Sequence, residues 1–181
     1  RSRTIIDSTE HIQVVELGSS ADWSEALDGI GAVIHLAARV HVMRDEATDP
    51  LSEFRAINMG GTLNLARQAA KAGVRRFIYL SSIKVDGEES LPGRPFTEQD
   101  TPAPLDPYGI SKREAEEGLH KLAQQTGLEV VIIRPPLVYG PGVKGNFLSM
   151  LRVIQQGWPL PLASCENRRS FVGLTNLVSL L

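Results

Sequence analysis

With 181 residues, 42% of them apolar and 22% charged, and a formal net charge of −2, the chain is long enough to bury one sizeable core and too evenly charged to track a nucleic-acid backbone. No apolar run reaches the roughly 18 residues of a membrane span, and Arg1-Ser2-Arg3 opens no signal-peptide core. A lone cysteine, Cys165, excludes an internal disulfide, and the absence of any zinc-like Cys/His spacing leaves the expectation of a cytoplasmic protein without a structural metal.

Along the chain, short apolar β-branched runs alternate with longer helical patterns, which is the signature of βαβ units. Strands are expected at residues 13–17 and 32–37. A helix then opens at Asp49-Pro50, a capping carboxylate followed by proline at the first helical position, and it carries Leu51, Phe54, Asn58, Gly61 and Leu65 on one face before Gly73 stops it. A third strand is expected at 77–81. The next helix opens in the same way at Asp106-Pro107, aligns Tyr108, Lys112, Ala115, Leu119 and Leu122 by steps of three and four, and closes at Gly127. A fourth strand follows at 129–134. The strands read as continuous rather than alternating, as parallel strands covered on both faces do, so the fold class expected is α/β with a Rossmann-like, doubly wound parallel sheet. Beyond Arg134, Pro135-Pro136, Gly140-Pro141-Gly142 and Trp158-Pro159-Leu160-Pro161 mark entry into a second, less regular region. The domains expected are therefore 1–134 for dinucleotide binding and 135–181 for part of a substrate-binding region, with Trp158 packed in it. The absence of an initiating Met and a helical pattern at 176–181 that stops in its second turn set the expectation of a piece of a longer protein.

Open parallel sheets bind ligands beyond the carboxyl ends of their strands, which directs attention to Ser81-Ser82, to Pro135-Pro136 and to the helix face bearing Tyr108 and Lys112. An ammonium on a buried face is costly, and a neighbouring phenol gives a reason for it: the cation favours tyrosinate, so that Tyr108 exchanges protons nearer neutral pH. Ser82 would hydrogen-bond the same substrate oxygen. Against this stands the plain alternative that Lys112 reaches to solvent and Tyr108 merely starts an amphipathic helix. Asn58, beside Gly60-Gly61, is read equally as a tie from helix to sheet or as a cofactor contact. His35 reads as a hydrogen-bonded core histidine, while His41 and Met43 follow a strand end without being ranked as site residues.

The runs Val33-Ile34-His35-Leu36-Ala37-Ala38, Asn58-Met59-Gly60-Gly61-Thr62-Leu63-Asn64-Leu65, Phe77-Ile78-Tyr79-Leu80-Ser81-Ser82, Pro107-Tyr108-Gly109-Ile110-Ser111-Lys112 and Arg134-Pro135-Pro136-Leu137-Val138-Tyr139-Gly140-Pro141 decide the question. In order and spacing they resemble the extended short-chain dehydrogenases of the NAD-dependent epimerase/dehydratase family. The chain is similar to the UDP-glucose 4-epimerases and their relatives, and the stretch Ser82-Ile83-Lys84-Val85-Asp86-Gly87 most resembles the branch that handles UDP-N-acetyl-quinovosamine and similar surface-polysaccharide precursors. The resemblance implies a cytoplasmic, NAD- or NADP-dependent enzyme, an epimerase or 4-ketoreductase, dimeric at full length and acting on a UDP-sugar. It implies Ser82, Tyr108 and Lys112 as the catalytic set. It also implies Ala37, Ala38, Asn58, Lys112 and Pro135 along the dinucleotide, and Asn146 and Arg169 on the substrate diphosphate. At Asn146 a helix N-cap and an anion site are compatible readings, and the guanidinium of Arg169 suits a diphosphate in shape.

Departures from the family pattern narrow the expectation. The glycine-rich pyrophosphate turn and the residue that reads the adenosine ribose are not in this sequence, so NAD is not distinguished from NADP, and weak binding of a dinucleotide by these 181 residues alone is expected. Ile83-Lys84 stand where dehydratases carry an Asp-Glu pair, and Leu137 stands where many epimerases carry Asn. Two competing functions remain, a dehydratase and a non-catalytic dinucleotide-sensing or scaffold protein on the same fold.

Overall fold

The computed structural model describes residues 12–13, 17–40, 48–143, 145–159 and 168–181, and of Asn146 the backbone alone. It divides into two compact units, Arg1–Ile133 and Arg134–Leu181.

The first unit is built on three parallel strands in the order β1 (Ala32–His35), β2 (Arg76–Leu80) and β3 (Glu129–Ile133), in a register that aligns Ile34 with Ile78 and Ile78 with Val131. The strand ends fall within two residues of those expected, since each strand stops where its ladder partner does. The strand expected at 13–17 lies largely outside the described residues. A short helix, α1 (Ser24–Leu27), precedes β1.

One continuous helix was expected after Asp49; three segments are found. Asp49 does cap the first, accepting from the Ser52 N–H at 3.1 Å, but α2 (Pro50–Phe54) passes into a π-helical stretch, Arg55–Gly61, before α3 (Thr62–Lys71). The widened turn coincides with two glycines and a close approach of a distant segment. Gly60 and Gly61 hold the α-helix weakly, and the Leu17 carbonyl approaches so closely that a Cβ on Gly61 would stand 3.2 Å from it. By contrast, α4 (Pro107–Thr126) follows its sequence signals: the Asp106 carboxylate accepts from Gly109 N–H, and Gly127 leaves the helix at φ +75°.

Helices α3 and α4 pack on one sheet face, where Leu65, Ala66, Ala69, Ala115 and Leu119 meet Phe77 and Tyr79, both without solvent contact. The strands therefore alternate, contrary to the continuous burial expected. Ile34 and Val131 point the other way and remain 47% and 41% exposed, because among the described residues nothing covers that face.

The second unit is more regular than the sequence suggested. β4 (Leu137–Tyr139) and β5 (Phe171–Gly173) pair in parallel, α5 (Gly145–Gln155) lies between them in the chain, and α6 (Leu174–Leu180) follows. Tyr139, Phe147 and Phe171 gather their rings at centroid distances of 5.4 to 6.5 Å. Trp158, expected to pack, is 68% exposed on the turn that follows α5.

Candidate active site

The site forms at the carboxyl end of β2. Ser82 follows the strand, and its hydroxyl caps the single 3-10 turn Ile83–Val85 by accepting from the Lys84 N–H at 3.2 Å. The Lys84 ammonium pairs with Glu88 at 3.3 Å and with Asp106, the residue that also caps α4. Gly109 completes the junction, for a Cβ there would lie 2.8 Å from the Lys84 carbonyl oxygen and 3.0 Å from Pro104. The first turn of α4 is thus fastened to the turn after Ser82, and Tyr108, the second residue of α4, is delivered into a hydrogen bond with Ser82. Its ring meets Phe54 edge-on at 6.1 Å.

One helical turn on, Lys112 is 1% exposed. Its Nζ donates to the Leu80 carbonyl at 2.8 Å, stands 4.6 Å from the centroid of the Tyr79 ring and lies 5.8 Å from that of Tyr108. Burial holds the ammonium down to a pKa of about 8, and the charge of Glu116 works in the opposite direction. The effect on Tyr108 differs from the one expected. Burial pushes its hydroxyl above the ordinary phenol value, the Ser82 hydrogen bond opposes that, and the charges that bear on it are Asp106, which raises it, and Lys84, which lowers it. The Lys112 ammonium, 5.8 Å from the Tyr108 ring centroid, donates instead to the Leu80 carbonyl and lies nearer the Tyr79 ring.

Asn58 is 1% exposed and hydrogen-bonded through both its carbonyl and its amide. Its Oδ1 accepts from Arg39 N–H at 2.8 Å, while its amide donates to the Arg39 carbonyl and to Ser111 Oγ, each at 3.0 Å. Ser111 in turn donates to the Tyr108 carbonyl at 2.8 Å. Of its two readings, the structural tie is the one seen: Asn58 links the segment after β1 to the start of α4. Ala37 and Ala38, exposed and half-buried, lie on that tied segment. His35 is the core histidine expected, with Nε2 3.0 Å from Thr62 Oγ1, and burial together with the Lys112 charge brings its pKa down to about 4.

The fold therefore brings Ser82, Tyr108, Lys112 and, through Ser111, Asn58 together. In the second unit, Pro135 is half-buried just after β3 in the chain, Asn146 is the second residue of α5 with its side chain outside the described residues, and Arg169 is exposed two residues before β5. His41, Met43 and Cys165 fall outside the described residues. Sequence reasoning missed Ser111, Tyr79 and the Lys84–Asp106 pair, and it noted Ser81 without giving it a role. Ser111 was within reach, being next to Lys112 on the inward face of α4, and Tyr79 alternates with Phe77. Ser81 is 3% exposed, and its hydroxyl has no hydrogen-bond partner among the described residues. The described residues contain no cluster of metal-binding side chains and no helix long and apolar enough to cross a membrane.

Comparison with known proteins is consistent with this geometry. The sequence matches the family described as NAD dependent epimerase/dehydratase over residues 1–181. It is 50% identical over 170 residues to a UDP-glucose 4-epimerase of Vibrio cholerae, a match covering 93% of this chain and 52% of that protein. Among solved structures it resembles the UDP-glucuronic acid 4-epimerase of Bacillus cereus in complex with UDP-glucuronic acid and NAD, with a TM-score of 0.72, 26% identity and coverage of 88% of this chain and 50% of the other. It also resembles RMD of Pseudomonas aeruginosa complexed with NADPH, with a TM-score of 0.69, 28% identity and coverage of 86% and 58%. The chain spans about half the length of these relatives.

Proposed function

The chain belongs to the NAD dependent epimerase/dehydratase family, and on that premise we propose that it carries the catalytic centre of a cytoplasmic, dimeric enzyme that transfers hydride at C4 of a UDP-hexose or UDP-N-acetylhexosamine derivative, as an epimerase or a 4-ketoreductase. The observation that supports this most is the contact of Ser82 with Tyr108, whose ring centroid lies 5.8 Å from the buried Lys112 ammonium.

The residues present fit a nicotinamide dinucleotide at the carboxyl ends of β1 and β2. Ser81 offers a buried hydroxyl that the described residues leave unsatisfied, and the Leu80 carbonyl accepts only one of the three hydrogens of Lys112, so donors remain for the ribose hydroxyls. NAD or NADP, when bound, supplies the hydride acceptor and donor at the sugar carbon. Tyr108, as tyrosinate, takes the proton from the C4 hydroxyl as that carbon is oxidised and returns it on reduction, and Ser82 donates to the same oxygen and fixes its position. Ala37 and Ala38, small and held by the Asn58 tie, leave room for the dinucleotide at the end of β1, with Asn58 a contact only through its remaining lone pair. Pro135 is proposed beside the nicotinamide, and Asn146 and Arg169 on the UDP diphosphate.

The dehydratase alternative finds little support in these side chains. Expelling a hydroxyl from C6 requires an acid and a base besides Tyr108, but Ile83 carries no proton and Lys84 is committed to Asp106 and Glu88. A purely dinucleotide-sensing protein has no need of the Ser82–Tyr108 contact. In the intact enzyme, Tyr108→Phe is expected to lower turnover ~100- to 10,000-fold with cofactor affinity little changed, whereas Lys112→Met lowers both. Near-normal turnover in Tyr108→Phe contradicts the assignment.

A further inference from the structure

We propose that Tyr79 is a positioning residue for Lys112, its ring face forming the platform on which the buried ammonium rests. This rests on the reading of Lys112 as an active-centre lysine and extends it to a residue outside the Ser82, Tyr108 and Lys112 set.

The geometry is specific. Tyr79 has no solvent contact and projects from β2 toward α4, and the ammonium stands 4.6 Å from its ring centroid with the Leu80 carbonyl 2.8 Å to the side. A cation removed from water to this depth needs compensation, and one neutral carbonyl falls short of what hydration supplied. The negative face of an aromatic ring is a second source, stronger in a desolvated site than at a surface. The His35 ring lies nearly parallel to the Tyr79 ring, 5.9 Å between centroids at 18°, and its bond to Thr62 fixes that ring in turn. The titratable groups facing the ammonium are His35 from β1, Tyr79 from β2, and Tyr108 and Glu116 from α4. His35 stays neutral near pH 7 and so adds no competing charge beside the ring. An aliphatic side chain at position 79 fills the same space but supplies no negative face, so the ammonium loses both its seat and much of its preference for the charged form.

The test follows the proton on Lys112 itself and needs no turnover. In the intact protein, labelled at lysine Cε for NMR and assigned by the signal lost in Lys112→Met, Lys112 is expected to titrate near the value of about 8 that its burial gives. Tyr79→Phe keeps the ring and leaves the midpoint in place. Pentafluorophenylalanine at position 79 has nearly the same shape but a reversed ring face, and it weakens the proton affinity of Lys112 about tenfold. Tyr79→Leu shifts it in the same direction. Phe77→Leu, which removes an equally buried ring from the same strand, destabilises the fold without moving the midpoint. Equal midpoints for the phenylalanine and pentafluorophenylalanine variants, or an equal shift in Phe77→Leu, overturn the proposal. Failure of the functional reading shows elsewhere, as undiminished turnover in Tyr108→Phe with the Tyr79 series still shifted.

Discussion

Lys112 and His35 share a buried pocket in which only one of them carries charge near neutral pH. Each is held below its ordinary value by burial, and His35 is pushed down further by the Lys112 ammonium. For His35 the consequence for stability has a definite sign. Its folded value of about 4 lies below the ordinary 6.5, so the unfolded chain binds the proton first, and the contribution of the neutral ring, complete above about pH 6.5, is lost as the pH falls toward 4. About 3 kcal/mol is at stake over that interval. Denaturant unfolding of the intact protein at pH 7 and pH 5 is expected to show a larger loss for wild type than for His35→Gln, which carries no titrating ring; equal losses contradict the placement. The two phenols titrate in the opposite sense. Burial raises Tyr79 and Tyr108, so their contribution holds below about pH 10 and is lost at higher pH.

The element that decides the site is the start of α4, because it fixes Tyr108 to Ser82 through three fastenings: Asp106 to Gly109, Asp106 to Lys84, and Gly109 against the Lys84 carbonyl. The last leaves no space for a methyl group. Gly109→Ala is expected to cost about 1–3 kcal/mol of stability and to reduce turnover more than it weakens cofactor binding, since the displaced atom is backbone and α4 must lift from Ser82. Thermal melts and steady-state kinetics on the intact enzyme measure both, and wild-type values contradict the fastening. Much of this helix was legible in sequence, because Asp106-Pro107, Gly127 and the spacing of Tyr108, Lys112 and Ala115 are local signals acting over one or two turns. What escaped is long-range. Nothing in the spacing of Lys84 and Asp106 announces an ion pair across 22 residues, and nothing near Lys112 in the chain reveals that its charge lies over Tyr79. The π-helical stretch was hidden for a similar reason, as it answers to the approach of Leu17 to Gly61 from 44 residues away.

At the scale of the whole chain, one face of the parallel sheet is closed by α3 and α4 and the other presents Ile34 and Val131 to solvent. Apolar exposure of this kind on sheet strands drives association. The 181-residue chain is therefore expected to self-associate with rising concentration in sedimentation, and a monomer at high concentration contradicts this. The sequence pattern announced parallel strands correctly but misjudged their burial, because a continuous apolar run records what both faces can bury and leaves open which neighbours are at hand to cover them. For the intact protein, the central claim is that Tyr108, Ser82 and Lys112 serve hydride and proton exchange at C4 and leave C6 untouched. Incubation with a UDP-hexose or its 4-keto derivative, followed by mass spectrometry of the sugar beside absorbance of the reduced cofactor, tests it most directly. The predicted result is either an epimer of unchanged mass with no net cofactor consumed, or a reduced sugar with one equivalent consumed, in both cases lost in Tyr108→Phe; a product lighter by one water contradicts it.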